Sequence, residues 1–563
     1  MRWSLKPKPD FDNVESLSNS IGTDRIISTL LLNRGITSYD EAKEFFRPSL
    51  DNLHDPFLMK DMDLAVTRII QAIERNEQII VYGDYDVDGT TSVALMASYL
   101  LSIYPNVTTY IPDRYKEGYG VSLKGIDYAH DNDCSLIIAL DCGIKAVDKV
   151  LYAKEKGIDF IICDHHRPGE QIPEAVAVLD PKRDDCNYPF KELCGCGVGF
   201  KLVQALAQTF DEPFHSIMSY LDLVAIAIAA DIVPVTGENR VLAHYGIKLV
   251  NSNPRPGIRA LLGDHKTEVS VTDLVFKVAP KINAAGRMKH ADFAVRLLME
   301  MDNNIVKIGA DEINDFNTSR READKQITQE ALDMIKANKE EDKFTTVVYN
   351  ENWHKGVIGI VASRLIETYY RPTLVFTKSG DMLAASARSV SGFDVYNALE
   401  ACKEFIEQFG GHKYAAGLTI RPENFELFKA AFESHVKATI EPHLLEPEIK
   451  IDYQIELGDI NDKFYRIIKQ FAPFGPGNMP PVFLTKSLKD TGYAKCVGED
   501  DKHLKINVYQ RGNTRYSGIG FGLGHKIDLV KAKKSFNAVY SLDENYWNGQ
   551  TSLQIKVRDI KEN

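Results

Sequence analysis

The chain has 563 residues, 44% hydrophobic and 26% charged, with a formal net charge of −12. That length exceeds one core and predicts three or four domains of an ordinary globular protein. The acidic total argues against a protein that coats nucleic acid non-specifically, but leaves room for one that grips it in a local groove. Met1 to Pro9 carry no apolar core of signal-peptide length, and no apolar run approaches the roughly 20 residues that span a bilayer. The eight cysteines are scattered, and the close pair Cys194 and Cys196 is too tight for a common zinc spacing. A reducing cytoplasm is the expected location, with no membrane association.

In chain order, residues up to about 50 read as a small helical lead-in, built on Thr23 to Leu32 and ended by a turn at Gly35. From about 65 to 240, apolar runs alternate with helical patterns, the signature of a parallel sheet with crossover helices. The first run, Ile79 to Gly83, leads into Asp84-Tyr85-Asp86-Val87-Asp88-Gly89. Read as an extended segment, it places its three carboxylates on one side. Like charges that close destabilise a fold unless a cation lies between them. An EF-hand would continue with a liganding Glu between helices; here a helix-like Thr90 to Ala97 follows instead. The carboxylates therefore fall at the carboxyl end of a strand, where open α/β sheets place ligands.

The same grammar repeats downstream. Ser135 to Leu140 ends in Asp141, and Asp159 to Cys163 ends in Asp164-His165-His166. Ala225 to Ala230 ends in Asp231-Ile232-Val233-Pro234 and reads as a buried strand or a buried helix. A mixture of Asp and His with no Cys suits manganese or magnesium better than zinc. These donors suffice for two ions sharing a carboxylate, an arrangement that activates water and clamps a phosphoryl group.

A further αβ-rich region is expected to end near Arg296. Within it, Lys277 to His290 holds Lys277, Lys281, Arg287 and Lys289 with no acid, a candidate phosphate-gripping run. Arg114, just past a strand end, is a weaker phosphate candidate. The polar stretch Asp302 to Asp342 carries Ile305, Ile308, Ile313 and Phe316 at near-helical spacing, which predicts a long linking helix. A second αβ unit runs from Phe344 to about Ala438. In it, Ser386 and Arg388 share one side of an extended segment, suited to a phosphate. Gly410-Gly411-His412 offers neighbouring N–H groups as an anion nest, or a tight turn. After Pro442, strand-like runs at Pro481 to Thr485, His503 to Tyr509 and Phe536 to Ser541 predict a small barrel, and Asn548-Gly549 predicts a hairpin turn.

Asp-Tyr-Asp-Val-Asp-Gly at 84–89, Asp-Cys-Gly at 141–143, Asp-His-His at 164–166 and Ala-Asp-Ile-Val-Pro at 230–234 resemble the four motifs of the DHH phosphoesterase superfamily. Gly410 to Gly417 resembles the signature of the DHH-associated domain. Lys281 to Met288 and Trp353 to Arg364 are similar to the RecJ family of single-strand-specific DNA exonucleases. Cys196 and Ala385 stand where that pattern has Ala and Gly.

The resemblance implies an α/β protein in five parts: a helical lead-in over 1–50, a parallel-sheet DHH domain over 51–300 and a linking helix over 301–343. A DHH-associated α/β domain over 344–440 and a C-terminal OB-fold β-barrel over 445–563 complete it. It implies a 5′-to-3′ exonuclease that degrades single-stranded DNA to mononucleotides in recombination and repair, using two Mn2+ or Mg2+ ions. Asp86, Asp88, Asp141, His165 and Asp231 are the expected ligands, with Asp141 as the bridge; Asp84 either ligates or supports. His166 is expected to face the scissile phosphate and Asp164 to orient a ligand. Arg114, Arg287, Ser386, Arg388, Gly410, Gly411 and His412 are the expected substrate contacts. A terminal-phosphate pocket at Ser386 and Arg388 would set direction. The partner is single-stranded DNA, met by a monomer, with a helicase and a single-strand-binding protein as candidate protein partners.

Two alternatives make different predictions. A phosphodiesterase for short oligonucleotides would be a shorter chain without the barrel. A non-catalytic single-strand-binding scaffold would have lost ligands, whereas every ligand position here is filled.

Overall fold

Five segments between residues 78 and 180 make parallel strands in the computed structural model, which describes Met1 to Asn563 except Lys266, Asn513, Lys533 and Asn548. The sheet order is Val107–Tyr110, Gln78–Gly83, Cys134–Leu140, Asp159–Cys163, Ala177–Leu179, every pair parallel. Its central strands are buried on both faces, which is why they read as unbroken apolar runs. Gln78–Gly83 has its successor on one side and Cys134–Leu140 on the other. The chain therefore reverses direction across the sheet there, and the carboxyl end of that strand lies at the crevice where such sheets bind ligands.

One local reading changes and one open reading is resolved. The extended run stops at Gly83; Asp86 caps the helix Val87–Ile103 and Asp88 lies in its first turn. The three carboxylates are thus spread over a strand end, a cap and a helical turn. Ala225–Ala230 is the end of a helix, Leu221–Ala230, buried on nearly all sides. From Gly237 to Met299 the described residues form helices and no strands, so the αβ alternation expected to run to Arg296 ends earlier.

Contacts divide the chain into two units: Met1–Ser4, Arg287–Lys289 and Asn314–Ile449 in one, and Leu5–Gly286, His290–Ile313 and Lys450–Asn563 in the other. In the larger unit the lead-in helices share a core with the C-terminal β-domain. Leu17, Ile27, Leu30 and Leu31 are buried with Phe464, Phe471, Phe483 and Ile555. That β-domain closes on itself. Phe483–Asp490 pairs with Phe536–Trp547, which pairs with Gln550–Glu562. Arg515–Gly520 and His503–Tyr509 follow, and the last pairs back to Phe483–Asp490. This five-stranded closed barrel is the expected OB architecture. Trp547 stands opposite Gln550 across the last hairpin, and Asn548 of its turn lies outside the described residues.

In the smaller unit a mixed five-stranded sheet runs Gln408–His412, Ala415–Ile420, Met382–Arg388, Thr373–Ser379, Thr346–Tyr349. Phe376, Phe428 and Phe432 fill one side. The helix Ile358–Thr368 packs with Ile327, Ala331 and Ile335 of the long helix Asn303–Ala337. That helix exists as expected, but its buried face differs. Ile305 and Ile308 are 55% and 65% exposed, while Val306, Ala310 and Ile313 are buried. The stripe continues through Arg320 and Asp324, whose charges hid it from an apolar count. Among the described residues no helix is long and apolar enough to cross a membrane.

Candidate metal centre

Each strand of the parallel sheet from Gln78 onward, except the edge strand Val107–Tyr110, delivers an aspartate at its carboxyl end: Asp84, Asp141, Asp164 and Asp180. All four are buried. Asp84 accepts the Gly120 N–H through Oδ1 at 3.1 Å, and its Oδ2 has no hydrogen-bond partner. Asp141 takes a left-handed backbone, φ 58°, which Asp tolerates better than most residues; its Oδ2 also lacks a partner. Asp86 accepts the Gly89 N–H at 3.0 Å.

Asp88 is held by the start of another helix, Gly195–Thr209. Its two oxygens accept the N–H groups of Gly195 at 2.6 Å and Cys196 at 2.7 Å. A helix amino end favours a carboxylate there. Position 195 must be glycine, because a Cβ would lie 2.6 Å from that of Asp141. Cys196 contributes its backbone, so a small side chain suffices.

His165 stands among the carboxylates, with Nε2 3.2 Å from Asp141, 3.5 Å from Asp231 and 3.7 Å from Asp88. Two groups can therefore hold an ion: Asp141, His165 and His166, and Asp88, His165 and Asp231. His165 is the member they share. Asp84 and Asp86 belong to neither group. His166, a member of the first group, is also tied to Asp164, Nδ1 to Oδ1 at 2.8 Å, and its Nε2 lies 3.2 Å from the Tyr119 hydroxyl. Asp164 also accepts the N–H groups of Ile144, His165 and His166.

The electrostatics separate ligands from supports. Burial, then the neighbouring carboxylates, pushes Asp84, Asp88, Asp141 and Asp231 upward toward their protonated forms. Burial, then the charge of His166, drives His165 down to about 3, so its imidazole is neutral, the form that binds metals. Burial alone would raise Asp164, but the His166 pair and the N–H donors hold it at about 2. Burial opposes a charged His166, yet Asp164 raises it to about 9. Buried carboxylates with partnerless oxygens, around a neutral imidazole, form a donor set that fits hard or borderline divalent cations such as Mn2+ and Mg2+.

Some participants were not read from the sequence. Asp180 follows Ala177–Leu179 in the same pattern of apolar run and carboxylate, and burial raises it to about 7. Tyr119 sits between Gly118 and Gly120, both with positive φ, in a loop with no periodicity to betray it. Arg114 stacks on the ring of Tyr85 at 4.5 Å, and Tyr85 packs edge-on to Tyr119. Arg114 thus joins an aromatic row that leads to His166.

The acid-free run is less available than its composition suggests. Lys277 pairs with Asp273, Lys281 donates to the Leu261 carbonyl, and Arg287 donates to the Gly356 carbonyl at 2.8 Å. In the smaller unit, Ser386 and Arg388 do share a sheet face, beside the start of the helix Ile358–Thr368. The Ser386 hydroxyl and the Arg388 guanidinium each lie 3.1 Å from where a Cβ on Gly359 would stand. Gly410-Gly411-His412 is neither nest nor turn. It is the edge strand, with Gly410 opposite Gly417 and His412 opposite Ala415. A strand points successive N–H groups to opposite sides, which dismantles a nest. Gly417 and Ala415 in turn face Ser386 and Arg388, so the glycines leave a bare shelf on the face carrying both.

A parallel sheet ending in clustered Asp and His, with a second α/β domain and an OB barrel, defines a DHH-type phosphoesterase. Family models agree: the DHH family N-terminal domain matches residues 78–228, the DHHA1 domain 341–438 and the RecJ OB domain 451–559. The chain belongs to the RecJ family. It is 34% identical to the single-stranded-DNA-specific exonuclease RecJ of Bacillus subtilis, covering 99% of this chain and 70% of that protein. To the Escherichia coli RecJ it is 31% identical over 95% of both chains. Among solved structures, the RecJ of Thermus thermophilus in complex with Mn2+ superposes with a TM-score of 0.85 at 25% identity, over 100% of this chain and 80% of that one.

Proposed function

We propose that this protein is a single-stranded-DNA exonuclease that releases mononucleotides from the 5′ end by metal-dependent phosphodiester hydrolysis, in DNA recombination and repair. The observation that carries the reading is a neutral His165 shared by two donor groups, Asp141–His165–His166 and Asp88–His165–Asp231, at the crevice of a parallel sheet. Two bound Mn2+ or Mg2+ ions would supply an activated water and neutralise charge on the phosphoryl group. Asp88, Asp141, His165 and Asp231 would hold them, with Asp84 and Asp86 close at hand. His166, kept charged by Asp164, would turn its Nε2 proton from Tyr119 to an oxygen of the scissile phosphate. Arg114, on its aromatic row, would steady the strand beside it.

Direction requires more than metal ligands, which accept any phosphodiester. Ser386 and Arg388 would hold the 5′-terminal phosphate, with Gly410 and Gly411 leaving room for it and His412 beside it. Arg287, whose guanidinium donates to the Gly356 carbonyl, would be a further contact to the strand. The barrel would bind the single strand through stacking on its aromatic side chains. Eight free cysteines suit a reducing cytoplasm. There the enzyme would act as a monomer on strands exposed by a helicase and covered by a single-strand-binding protein.

The test is a Mn2+-dependent assay on single- and double-stranded DNA labelled at either end. The expected result is early release of a labelled mononucleotide from the 5′ end of single strands only. Initial release from the 3′ end, or equal cleavage of blunt duplex, would overturn the reading.

A further inference from the structure

We propose that the turn Gly475-Pro476-Gly477-Asn478, which leads into the C-terminal barrel, is a positioning element of the metal centre. It fixes the loop that carries Asp231, and the inference rests on the reading of Asp231 as a metal ligand.

The loop cannot hold itself. Asp231 ends the helix Leu221–Ala230, and the next residue, Ile232, adopts a left-handed backbone with φ 60°. A β-branched residue is a genuine outlier in that region. Ile232 is also 71% exposed, so its own side chain gains no burial in return. A strained, exposed residue beside a ligand persists only when the surroundings over-determine the backbone.

The surroundings come largely from the turn. The Val235 N–H donates to the Pro476 carbonyl at 2.7 Å. Gly475 lies flat against Val235: a Cβ there would come within 2.4 Å of Val235 Cγ2. A Cβ on Gly477 would lie 3.1 Å from the Thr236 methyl. From the other side, Asn239 Nδ2 donates to the Pro234 carbonyl at 3.0 Å. Residues 234 to 236, which follow Asp231 closely in the chain, are thus gripped from two sides.

The turn is itself rigid. Gly475 and Asn478 exchange backbone hydrogen bonds of 3.1 and 2.9 Å. Asn478 is buried; its Nδ2 donates to the Phe471 and Pro473 carbonyls, and its Oδ1 accepts from Arg34 Nε at 2.9 Å. Supports behind metal ligands set affinity by holding donors in place. This support is supplied by the polypeptide that enters the DNA-binding barrel, so strand binding and metal binding share a mechanical element.

The experiment uses the full chain without DNA, titrated with Mn2+ in a calorimeter, with thermal melting in EDTA as the folding control. Gly475→Ala presses on Val235 and is expected to weaken Mn2+ binding about tenfold. The double variant Gly475→Ala/Val235→Ala removes the clashing methyls and is expected to return affinity to within about twofold of the parent. A role in folding alone would move the melting midpoint and leave Mn2+ affinity in place. A folded Gly475→Ala protein with parental Mn2+ affinity overturns the proposal. If Gly475→Ala does not fold, Val235→Ala decides: weaker Mn2+ binding supports the coupling, unchanged binding overturns it. Asp231→Ala separates the two readings. Parental Mn2+ binding in that variant removes Asp231 from the centre, whereas its loss beside an unaffected Gly475→Ala refutes the positioning role alone.

Discussion

At the scale of single residues, Asp141 carries a conflict between stability and activity. Its carboxyl is buried and pushed upward by burial and by Asp88, so the ionised form destabilises the metal-free fold. The sign follows: the unfolded chain ionises near the ordinary value of about 3.9, so this group's contribution is lost as pH rises above that value. Asp141→Asn should therefore raise the melting midpoint in EDTA at pH 8. It should also lower turnover on labelled single strands by roughly three orders of magnitude. A variant with near-parental turnover would remove Asp141 from the chemistry.

His166 shows the opposite pattern. Against burial, Asp164 lifts it to about 9. A raised imidazole contributes stability below its unfolded value of about 6.5, and that contribution disappears as pH rises through the folded value. In metal-free protein, an NMR titration of His166 should show a midpoint near 9. Asp164→Asn should lower that midpoint, because the hydrogen bond and charge that chiefly oppose burial are removed, leaving the weaker pull of Asp231 and Asp88. A midpoint unmoved by the substitution would mean that Asp164 does not set the charge of His166. The pair was legible as a motif, since adjacent His after a strand-end Asp is an unusual string. Tyr119, which takes the other ring nitrogen, was not legible. It comes from a loop, and only the fold brings it to residue 166.

At the scale of elements, the parallel strands were readable because burial on both faces removes polar alternation and leaves unbroken apolar runs. The same property hid the nature of Leu221–Ala230, since a fully buried helix is apolar in every register. Gly410-Gly411-His412 failed for another reason. Glycines suit turns, nests and bare strands alike, and only the ladder to Gly417 and Ala415 selects the strand. What the sequence placed correctly was Ser386 with Arg388, because alternation along a strand is independent of its neighbours. Arg388 can make paired charge-assisted hydrogen bonds to a terminal phosphate, which carries more charge than an internal one. Arg388→Ala should lower kcat/KM mainly on 5′-phosphorylated strands and narrow the gap to 5′-hydroxyl strands. An equal loss on both substrates would make Arg388 a general backbone contact.

At the scale of the whole molecule, the sequence reads as a catalytic domain over 51–300 and a separate C-terminal barrel over 445–563. Within the larger unit the parts are not detachable. Removing the barrel would bare Leu17, Ile27, Leu30 and Leu31 of the lead-in helices, so a truncated chain should aggregate rather than report on binding. No local pattern could reveal this, because the contacts join residues more than 400 positions apart. Arg240 ties in a third segment from the middle of the chain. It sits on the helix Gly237–Ser252 and is buried. Its guanidinium donates to the carbonyls of Phe45, Gln470, Phe471, Ala472 and Pro473. It also stacks on the Phe45 ring at 3.9 Å. Burial, then Arg34, lowers it only to about 10, so it is charged at neutral pH. One side chain therefore joins the lead-in, the catalytic domain and the approach to the barrel. Arg240→Ala leaves several buried carbonyls without a donor and should cost about 3 kcal/mol or more in urea unfolding. Arg240→Lys should recover little of it, because a compact ammonium cannot span carbonyls set around a planar fork. A loss under about 1 kcal/mol for the alanine variant would show that the hydrophobic core alone holds the three segments together.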